Sequence, residues 1–494
     1  MKGSAFGWVF ILLTVCYVGL FLNQTLYPFV DLPNHLAEAA IYKLSNSSIF
    51  NNFYHVSGGI EPNSLHYIFI SLFNDIEKGN KLYYALCAIS LPVFTFLLIK
   101  RLGGNWEFSV LSLLLIFNYN VSFGFAGFTL AIPLVLSVFY LLCINKPWSK
   151  IFLSFVLVLL FFTHILGLLF SLFLIAAIAL LKSKSIKEGA GQIWFAIPVL
   201  FLLFIWHSSA FKGEQSTLSF LLDYYTKNYF PELYLRSKIL VFDNFALADG
   251  YLGVLIALFF SVAILLPFFM GLLSEKISYL RLKNFYEMNR PASIFLFVSL
   301  VCFFGLPSEL PGQGILYQRF SVLLLIAIII VGSILYTKPL SNVHRVVLVA
   351  VVFFHGILWY DYLSKFDNEN SSFSASLFNS IPKNKILGGV MVDYKYRGRP
   401  VYIHFANYYI VWNHGIATTK VIDYRFGSIK RTTSKDILPE YQEWSGTTGL
   451  IPDEYKNLDY LLLRGEPKNL PANAIRMAGD RVWQVINVKQ DFLK

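Results

Sequence analysis

Runs of about twenty consecutive apolar residues limit how this chain can fold more than any other feature. A helix that crosses a membrane needs about 20 predominantly apolar residues, because the hydrocarbon core of a bilayer is about 30 Å thick. Of the 494 residues, 56% are hydrophobic and only 14% are charged, against about 25% charged in an average soluble domain. The sequence therefore predicts a membrane protein with several spans. The clearest runs cover 6–26, 81–99, 251–272, 318–336 and 345–361, with shorter ones at 191–206 and 291–305.

Two further apolar stretches are interrupted by polar residues. Residues 107–143 contain "NYNVSFGFAG" at Asn118–Gly127, and residues 151–180 contain the pair Thr163–His164. Each stretch fits one long helix or two short helices joined by a turn. If both are split, the basic residues of the short connectors fall on the same side as the N-terminus, in agreement with the positive-inside rule. We therefore predict a mainly α helical bundle of eleven spans, with the N-terminus, a retained first helix, in the cytoplasm and the C-terminus outside.

The split helices place polar residues at depth in the membrane. A helix over 151–163 is about 20 Å long at 1.5 Å per residue, which is shorter than the hydrocarbon core. Non-helical backbone at this depth is tolerated where it is buried in protein or lines a cavity. His164 and Asn120 are therefore predicted to line a cavity, although a neighbouring carbonyl group satisfying His164 is an open alternative.

The elaborated segments of the chain fall on the outer side in this topology. They are a first loop over 27–80, a second loop over 207–249, a turn over 305–320 and a tail. We predict a transmembrane domain over 1–365 and a small soluble α/β domain over 366–494 on the extracytoplasmic side. Its strands are expected in "KILGGVMV", "RPVYIHF", "LDYLLLRG" and "VWQVINVK", after a linker and short helix in "FDNENSSFSASLF".

The first loop begins with an aspartate directly after the first apolar run. In "FVDLPNHLAEAAIYKL", Asp31 is followed by Pro33 and a Leu/Ala-rich run to Leu44, which predicts a surface helix with Asp31 as its N-cap. The alternative is a carboxylate at the membrane boundary that acts as a general base, with Asn34 as the cap. His35 lies one helical turn after Asp31, and His66 follows in the same loop as a candidate cavity-lining residue.

A single arginine closes the Gly/Pro-rich outer turn. Arg319 follows Tyr317 and Gln318 in "GQGILYQRF". It either extends towards lipid head groups or grips a phosphate with its planar guanidinium. Arg236 and Lys238, in the second loop, are weaker candidates for the same phosphate.

Other chemistry receives little support from the sequence. The four cysteines lie in apolar runs, which favours neither disulfides nor thiol catalysis, and no HxxxH or HExxH spacing suggests a metal site built from protein ligands alone. A carboxylate and a substrate phosphate together can hold a divalent cation, so cation dependence stays open. The net charge of +11 comes from dispersed residues flanking apolar runs, and we expect no nucleic-acid partner.

These features together resemble the GT-C superfamily of membrane glycosyltransferases, which includes the bacterial protein-mannosyltransferase-like and aminoarabinose-transferase-like enzymes. The resemblance covers the architecture of roughly 1–365. It rests on Asp31 in "FVDLPNH", the segments "FNYNVSFGFAGFTLAIPL" and "FFTHILGLL", and Arg319 in "GQGILYQRF". Where many of these enzymes have two adjacent acidic residues, this chain has Asp31 followed by Leu32.

The resemblance implies a sugar donor linked to a polyprenyl phosphate and an extracytoplasmic glycan, lipid or protein hydroxyl as acceptor. Asp31 would take the acceptor proton, with His35 in the same catalytic group. Arg319, Gln318 and Tyr317 would bind the donor phosphate, while His164, His66 and Asn120 would line the cavity. The expected location is a cell membrane, most simply a bacterial inner membrane. A lipid-linked glycan transporter or flippase and a non-catalytic membrane scaffold are the alternatives.

Overall fold

The computed structural model of the chain describes most of the sequence. The described residues are 3–45, 47–57, 60–183, 188–189, 191, 193–210, 223–245, 247, 250–273, 287, 289–310, 314–383, 385–418, 429–431, 445–472 and 474–488. Parts of the predicted second outer loop, among them 211–222, therefore lie outside the described residues.

Helices dominate this part of the chain. Sixteen α-helices are described, in chain order: α1 Gly3–Asn23, α2 Leu32–Lys43, α3 Ser48–Asn51, α4 Leu65–Ser71, α5 Ile76–Arg101, α6 Tyr119–Ser122, α7 Ala126–Ile144, α8 Pro147–Thr163, α9 Ile165–Lys182, α10 Ile197–Ala210, α11 Tyr229–Lys238, α12 Gly250–Leu273, α13 Arg290–Leu300, α14 Ser321–Leu335, α15 Asn342–Glu369 and α16 Tyr408–Asn413.

Six helical segments among the described residues are long and apolar enough to cross a membrane. They are α5, α7, α12, α15, Ala5–Asn23 of α1, and Tyr317–Leu335, in which a short 3-10 turn precedes α14. Shorter apolar helices cover Pro147–Thr163, Ile165–Leu181, Trp194–His207 and Arg290–Gly305. Their length and composition indicate a multi-pass membrane protein, and this sequence prediction is confirmed. The total of eleven spans stays a prediction.

The apolar stretch 151–180 is divided into two helices at His164. This residue alone separates α8 from α9, and its backbone is extended, with φ −167° and ψ 124°. Its N–H donates to the Leu160 carbonyl at 2.8 Å, and its side chain accepts a hydrogen bond from the Leu166 N–H at 3.2 Å. The histidine therefore closes one helix and caps the next, as the split-helix alternative requires.

The stretch 107–143 is also divided, but its first half is not an α-helix. Residues Trp106–Leu115 form a 3-10 helix, which rises about 2.0 Å per residue and is uncommon at this length. Its first turn is held by a buried ion pair, in which Arg345 Nη2 lies 2.7 Å from Glu107 Oε1. Glu107 Oε2 also accepts a hydrogen bond from the Leu340 N–H at 3.1 Å. These bonds satisfy the buried carboxylate.

A chain of hydrogen bonds joins buried polar groups on α1 and α15. Trp359 Nε1 donates to His355 Nε2 at 3.1 Å, so the imidazole proton resides on Nδ1. Nδ1 donates this proton to the Tyr17 hydroxyl oxygen at 2.7 Å, and the Tyr17 hydroxyl donates to the Val352 carbonyl at 3.0 Å. Each donor in this series of hydrogen bonds has an acceptor, as burial in a membrane helix requires.

The contacts of the chain define two compact units. The first contains 1–22, 84–121 and 127–360, and the second contains 23–83, 122–126 and 361–494. The predicted first outer loop and the tail thus belong to the same unit. Within this second unit the short strand β1 Tyr54–Val56 pairs antiparallel with Ile429–Arg431 of the tail.

The second unit also contains a five-stranded mixed sheet. Its strands are β2 Ile386–Met391, β3 Ile416–Ala417, β5 Tyr460–Arg464, β6 Ile475–Gly479 and β7 Trp483–Asn487. The strand Ile429–Arg431, which pairs with β1 outside this sheet, is β4. The sheet order is β3-β2-β5-β7-β6, in which β2 is parallel to both neighbours and β7 is antiparallel to both of its own. Val390, Leu461, Leu463 and Ile486 belong to one apolar core beside it.

Three of the four strands expected in the tail are confirmed, and one is wrong. "KILGGVMV", "LDYLLLRG" and "VWQVINVK" contain β2, β5 and β7, but "RPVYIHF" forms turns that lead into a 3-10 helix at Phe405–Asn407. Residues 401–405 are all buried, so no face of this segment is left for solvent. Its backbone N–H groups bond locally, as in Phe405 N–H to the Tyr402 carbonyl at 3.1 Å. The expected linker begins later, because α15 continues to Glu369.

Replacing His355 should destabilise the protein, because Trp359 Nε1 loses its acceptor and the Tyr17 hydroxyl loses its donor. We expect His355→Leu to cost about 1–3 kcal/mol per orphaned group, seen as a lower thermal midpoint of the detergent-solubilised protein. The control is His344→Leu, at the exposed start of the same helix. Equal thermal midpoints for the two variants would contradict a stabilising role for the hydrogen bonds of His355.

Candidate functional site

Asp31 is positioned by its backbone within the second unit. The Asp31 N–H donates to the Phe123 carbonyl at 3.0 Å, and the Val30 N–H donates to the Ser122 carbonyl at 3.2 Å. Gly124 follows with φ +77°, and a Cβ atom there would lie 2.8 Å from the backbone nitrogens of Asp31 and Leu32. The close approach of the two segments therefore requires glycine at position 124.

The Asp31 side chain does not cap the helix that follows it. Asp31 occupies the N-cap position of α2 in an αR conformation, and its carboxylate makes no capping hydrogen bond. Instead, Asp31 Oδ1 lies 3.6 Å from Nε2 of His404, a tail residue of the same unit. The carboxylate is 28% exposed and the imidazole 1% exposed. A partly accessible carboxylate thus faces a buried imidazole.

The predicted helix after Asp31 is confirmed as α2, and protein covers most of it. Its apolar positions include Leu36 and Ala39, and the helix packs against α4, α16 and the 3-10 turn Phe405–Asn407. Asn34 and Asn407 form a side-chain hydrogen bond between the two segments. This bond fixes the register of α2 against the tail.

His35 and His66 meet in a second polar group of this unit. His35 Nδ1 lies 3.0 Å from Glu38 Oε2, and the rings of His35 and His66 pack edge to face at 5.4 Å. His66 Nε2 lies 3.0 Å from Asn80 Oδ1, which must accept, so the His66 proton resides on Nε2. Burial, assisted by the nearby His35, lowers the pKa of His66 to about 3. His66 is therefore neutral at physiological pH.

In the first unit, Arg319 is buried rather than extended towards lipid. Only 8% of Arg319 is exposed, and its guanidinium Nε donates to the Ile315 carbonyl at 2.9 Å. Its Nη1 lies 3.0 Å from Nε2 of His164, which is 7% exposed. The arginine that closes the turn 305–320 and the histidine at the helix break are therefore in direct contact.

Each ring nitrogen of His164 has a donor close to it. Nδ1 faces the Leu166 N–H, and Nε2 faces Arg319 Nη1, so donors approach both ring nitrogens. A neutral imidazole has one acceptor nitrogen and a protonated one has none. At least one of these two donors therefore faces a ring N–H group of His164.

The break at 118–127 reaches the same cluster. Asn120 Nδ2 donates to the Arg319 carbonyl at 3.1 Å, and the Phe128 ring packs edge to face on His164 at 5.1 Å. A Cβ atom at Gly127 would lie 2.6 Å from the Thr163 carbonyl oxygen. Three segments that stood out in the sequence are thus brought together around Arg319.

The other residues predicted beside the phosphate have different surroundings. The Tyr317 ring lies under the guanidinium of Arg236, 3.7 Å from its centre. Arg236 is fully buried and donates to the carbonyls of Phe303 and Leu306 at 2.5 and 2.7 Å, so it is a structural residue. Gln318 Oε1 is buried without a hydrogen-bond partner among the residues that the structure describes.

Two further comparisons bear on what these clusters bind, one with metal sites and one with known proteins. Within the described ranges, no three His, Cys, Asp or Glu side chains are grouped so as to hold a metal ion. Comparison of the chain with models of protein families gives no match, and comparison with curated proteins gives none either.

Sequence reasoning missed His404 and Asn407, the tail residues that face α2. In "VYIHFANYYI" they are the polar residues of an otherwise apolar and aromatic run. That isolation was a usable signal, because polar side chains within such a run need partners when they are buried. Their partners, Asp31 and Asn34, lie far earlier in the chain, and Asn34 is 373 positions before Asn407. No local sequence pattern identifies such partners.

Adding a methyl group at Gly124 should disturb the Asp31 segment. We expect Gly124→Ala to lower the thermal midpoint further than Gly103→Ala, which changes another glycine of similar φ, +74°, with open space around its Cβ position. Both variants carry the cost of a positive φ, about 1–2 kcal/mol, and Gly124→Ala alone adds a backbone clash. Indistinguishable thermal midpoints would show that the segments around Asp31 and Gly124 move apart without loss of stability.

Titration of His66 should weaken folding in acid. Its folded pKa, about 3, lies below the usual 6.5, so between these values the unfolded chain binds more protons. This contribution to stability is complete above pH 6.5 and is lost by about 1.4 kcal/mol per pH unit below it. We expect His66→Gln to show a smaller fall in thermal midpoint between neutral pH and pH of about 5 than wild type does. His55→Gln, at an exposed site, should retain the wild-type fall.

Proposed function

We propose that this protein is a membrane glycosyltransferase that moves a sugar from a polyprenyl-phosphate donor to an extracytoplasmic hydroxyl. The observation that carries the proposal is the uncapped carboxylate of Asp31, at the N-cap position of α2 but free of the helix. An aspartate whose role was to stabilise the helix would accept a hydrogen bond from a backbone N–H of the first turn. Asp31 instead retains the accessible oxygen that a general base needs.

Asp31 is assigned the proton transfer. As the acceptor oxygen attacks the anomeric carbon, its O–H bond breaks and the proton passes to the Asp31 carboxylate. The bond between the anomeric carbon and the phosphate oxygen breaks at the same time, and its electron pair leaves with the polyprenyl phosphate. His35, in the first turns of α2, is held by Glu38 and is assigned to the same catalytic group as Asp31.

Arg319 is assigned the phosphate. Its guanidinium carries a fixed positive charge, and its contact with His164 sets donors against both nitrogens of that ring. A phosphate oxygen accepting from Arg319 would form a charge-assisted hydrogen bond and would stabilise the charge that grows on the leaving group. Gln318 and Asn120 are adjacent polar residues in this cluster, and Asn120 holds the Arg319 backbone.

The two alternatives fit the polar residues less well. A transporter needs polar groups that are available to substrate near the middle of the membrane. His355, the buried histidine of α15, instead has both ring nitrogens engaged by Tyr17 and Trp359. A scaffold gives Asp31 the role of a cap, and the capping hydrogen bond is missing.

The test is transfer by purified protein with radiolabelled polyprenyl-phosphate hexoses and pentoses, measured as release of free polyprenyl phosphate. We expect Asp31→Asn to lower the rate by about 10²–10⁴, as loss of a general base does. Arg319→Ala should lower it by about 10²–10³, because the leaving charge loses its stabilising donor.

Matched variants separate these losses from damage to the fold. Asp75 accepts a hydrogen bond from the Lys78 N–H at 3.0 Å, so Asp75→Asn changes a true capping aspartate of the same loop. Arg101→Ala removes an exposed arginine at the end of α5. Both controls should retain transfer. Full activity in Asp31→Asn and Arg319→Ala would refute the proposed function.

A further inference from the structure

His404 is a buried histidine without a hydrogen-bond partner among the residues that the structure describes. The residue is 3% exposed, and neither Nδ1 nor Nε2 makes a hydrogen bond to any residue that the structure describes. Buried polar side chains are normally bonded, and an orphaned one costs about 1–3 kcal/mol. Tyr402, two residues earlier, shows the usual arrangement, with its hydroxyl 3.0 Å from Glu369 Oε1 and 3.1 Å from Asn370 Nδ2. The unbonded state of His404 therefore needs a reason.

A charged group, the Asp31 carboxylate, faces this imidazole. His404 Nε2 lies 3.6 Å from Asp31 Oδ1, which is within ion-pair distance and beyond the usual length of a hydrogen bond. A neutral imidazole protonated on Nε2 would direct its N–H at the carboxylate. A movement of less than 1 Å would then convert the contact into a hydrogen bond.

The surrounding structure holds the two residues in this register. Asn34 and Asn407 are hydrogen-bonded, and each lies three positions after a member of the facing pair, Asp31 and His404 respectively. The backbone also contributes, because the Asn34 N–H donates to the Asp31 carbonyl and the Asn407 N–H to the His404 carbonyl, at 3.1 and 3.0 Å. Each turn is thus held by its own backbone hydrogen bond, and the two turns are joined by Asn34 and Asn407. Asp31 and His404, at the starts of these turns, face each other.

We propose that His404, contributed by the C-terminal tail, is the positioning residue of Asp31. This inference rests on the proposed function of Asp31 as general base. The Nε2–H group of His404 orients one carboxylate oxygen, so that the other is directed to the acceptor hydroxyl. The proton of the reaction passes to Asp31, and His404 keeps its own proton throughout. The tail is then an integral part of the catalytic group rather than an appended lid.

The experiment measures polyprenyl-phosphate release by the full-length protein and its His404 variants. We expect His404→Phe to lower kcat by about tenfold or more while KM for the donor changes less than about twofold, because the lost contact orients a base and binds no donor. His404→Gln should retain most of the rate, since its amide N–H can occupy the position of Nε2–H. In the background of Asp31→Asn, His404→Phe should cause no further loss.

A structural control lies in the same turn. Tyr402→Phe removes a buried hydrogen bond and should lower the thermal midpoint while kcat stays within about twofold of wild type. A purely structural role for His404 would give the same pattern as Tyr402→Phe. The inference is overturned if His404→Phe keeps wild-type kcat, if His404→Gln is no better than His404→Phe, or if the losses of Asp31→Asn and His404→Phe multiply.

A second readout keeps the inference separate from the proposed function. If wild type releases no polyprenyl phosphate, or Asp31→Asn stays active, the proposed function fails. The pair is then judged by thermal midpoints of Asp31→Asn, His404→Gln and the double variant. A contact between the residues predicts that the two single shifts do not add, and simple additivity overturns it.

Discussion

The need to pair every backbone N–H and C=O group inside the membrane governs the rest of this structure. Apolar lipid supplies no partners, so a helix can stop within a membrane domain only where protein groups take over its hydrogen bonds. His164 contributes to meeting this condition, since its N–H bonds to the end of α8 and its ring nitrogen caps α9. The imidazole that performs this task also lies against Arg319. A structural requirement thus brings a cation and a polar ring together at a helix break.

The second unit shows how a tail and an early loop can fold as one body. The pairing of β1 with β4 joins them through backbone hydrogen bonds, and Tyr54 adds a hydrogen bond from its hydroxyl to the Ala417 carbonyl at 3.1 Å. Asp367 accepts hydrogen bonds from the Thr25 and Leu26 N–H groups at 3.1 and 3.0 Å. Since these contacts cross hundreds of residues in sequence, the loop that carries Asp31 depends on the tail for its conformation.

Buried polar residues in the described structure fall into two physical classes. His355 has both ring nitrogens bonded to a hydroxyl and an indole, and its burial is explained by those bonds. His404 is buried with both ring nitrogens unbonded among the described residues, and His164 receives more donors than an imidazole can accept. The unpaired imidazole of His404 is costly, and such groups are commonly retained at functional sites. The inference drawn for His404 starts from this observation.

The sequence by itself determined the features that depend on local composition and periodicity. Apolar runs gave the membrane class, the polar interruption gave the break at His164, and Pro33 with its Leu/Ala-rich continuation gave α2, because each of these is specified by neighbouring residues. The sequence also marked Asp31 and Arg319 as residues that needed partners. It could not decide whether Asp31 caps α2, whether Arg319 reaches lipid, or that "RPVYIHF" is buried on all sides. Those outcomes depend on His404, His164 and the packing of α2 against the tail, which are contacts between residues distant in sequence. Only the tertiary structure brings such residues together, since hydrogen bonds and burial act over a few ångströms of space, whatever the separation along the chain.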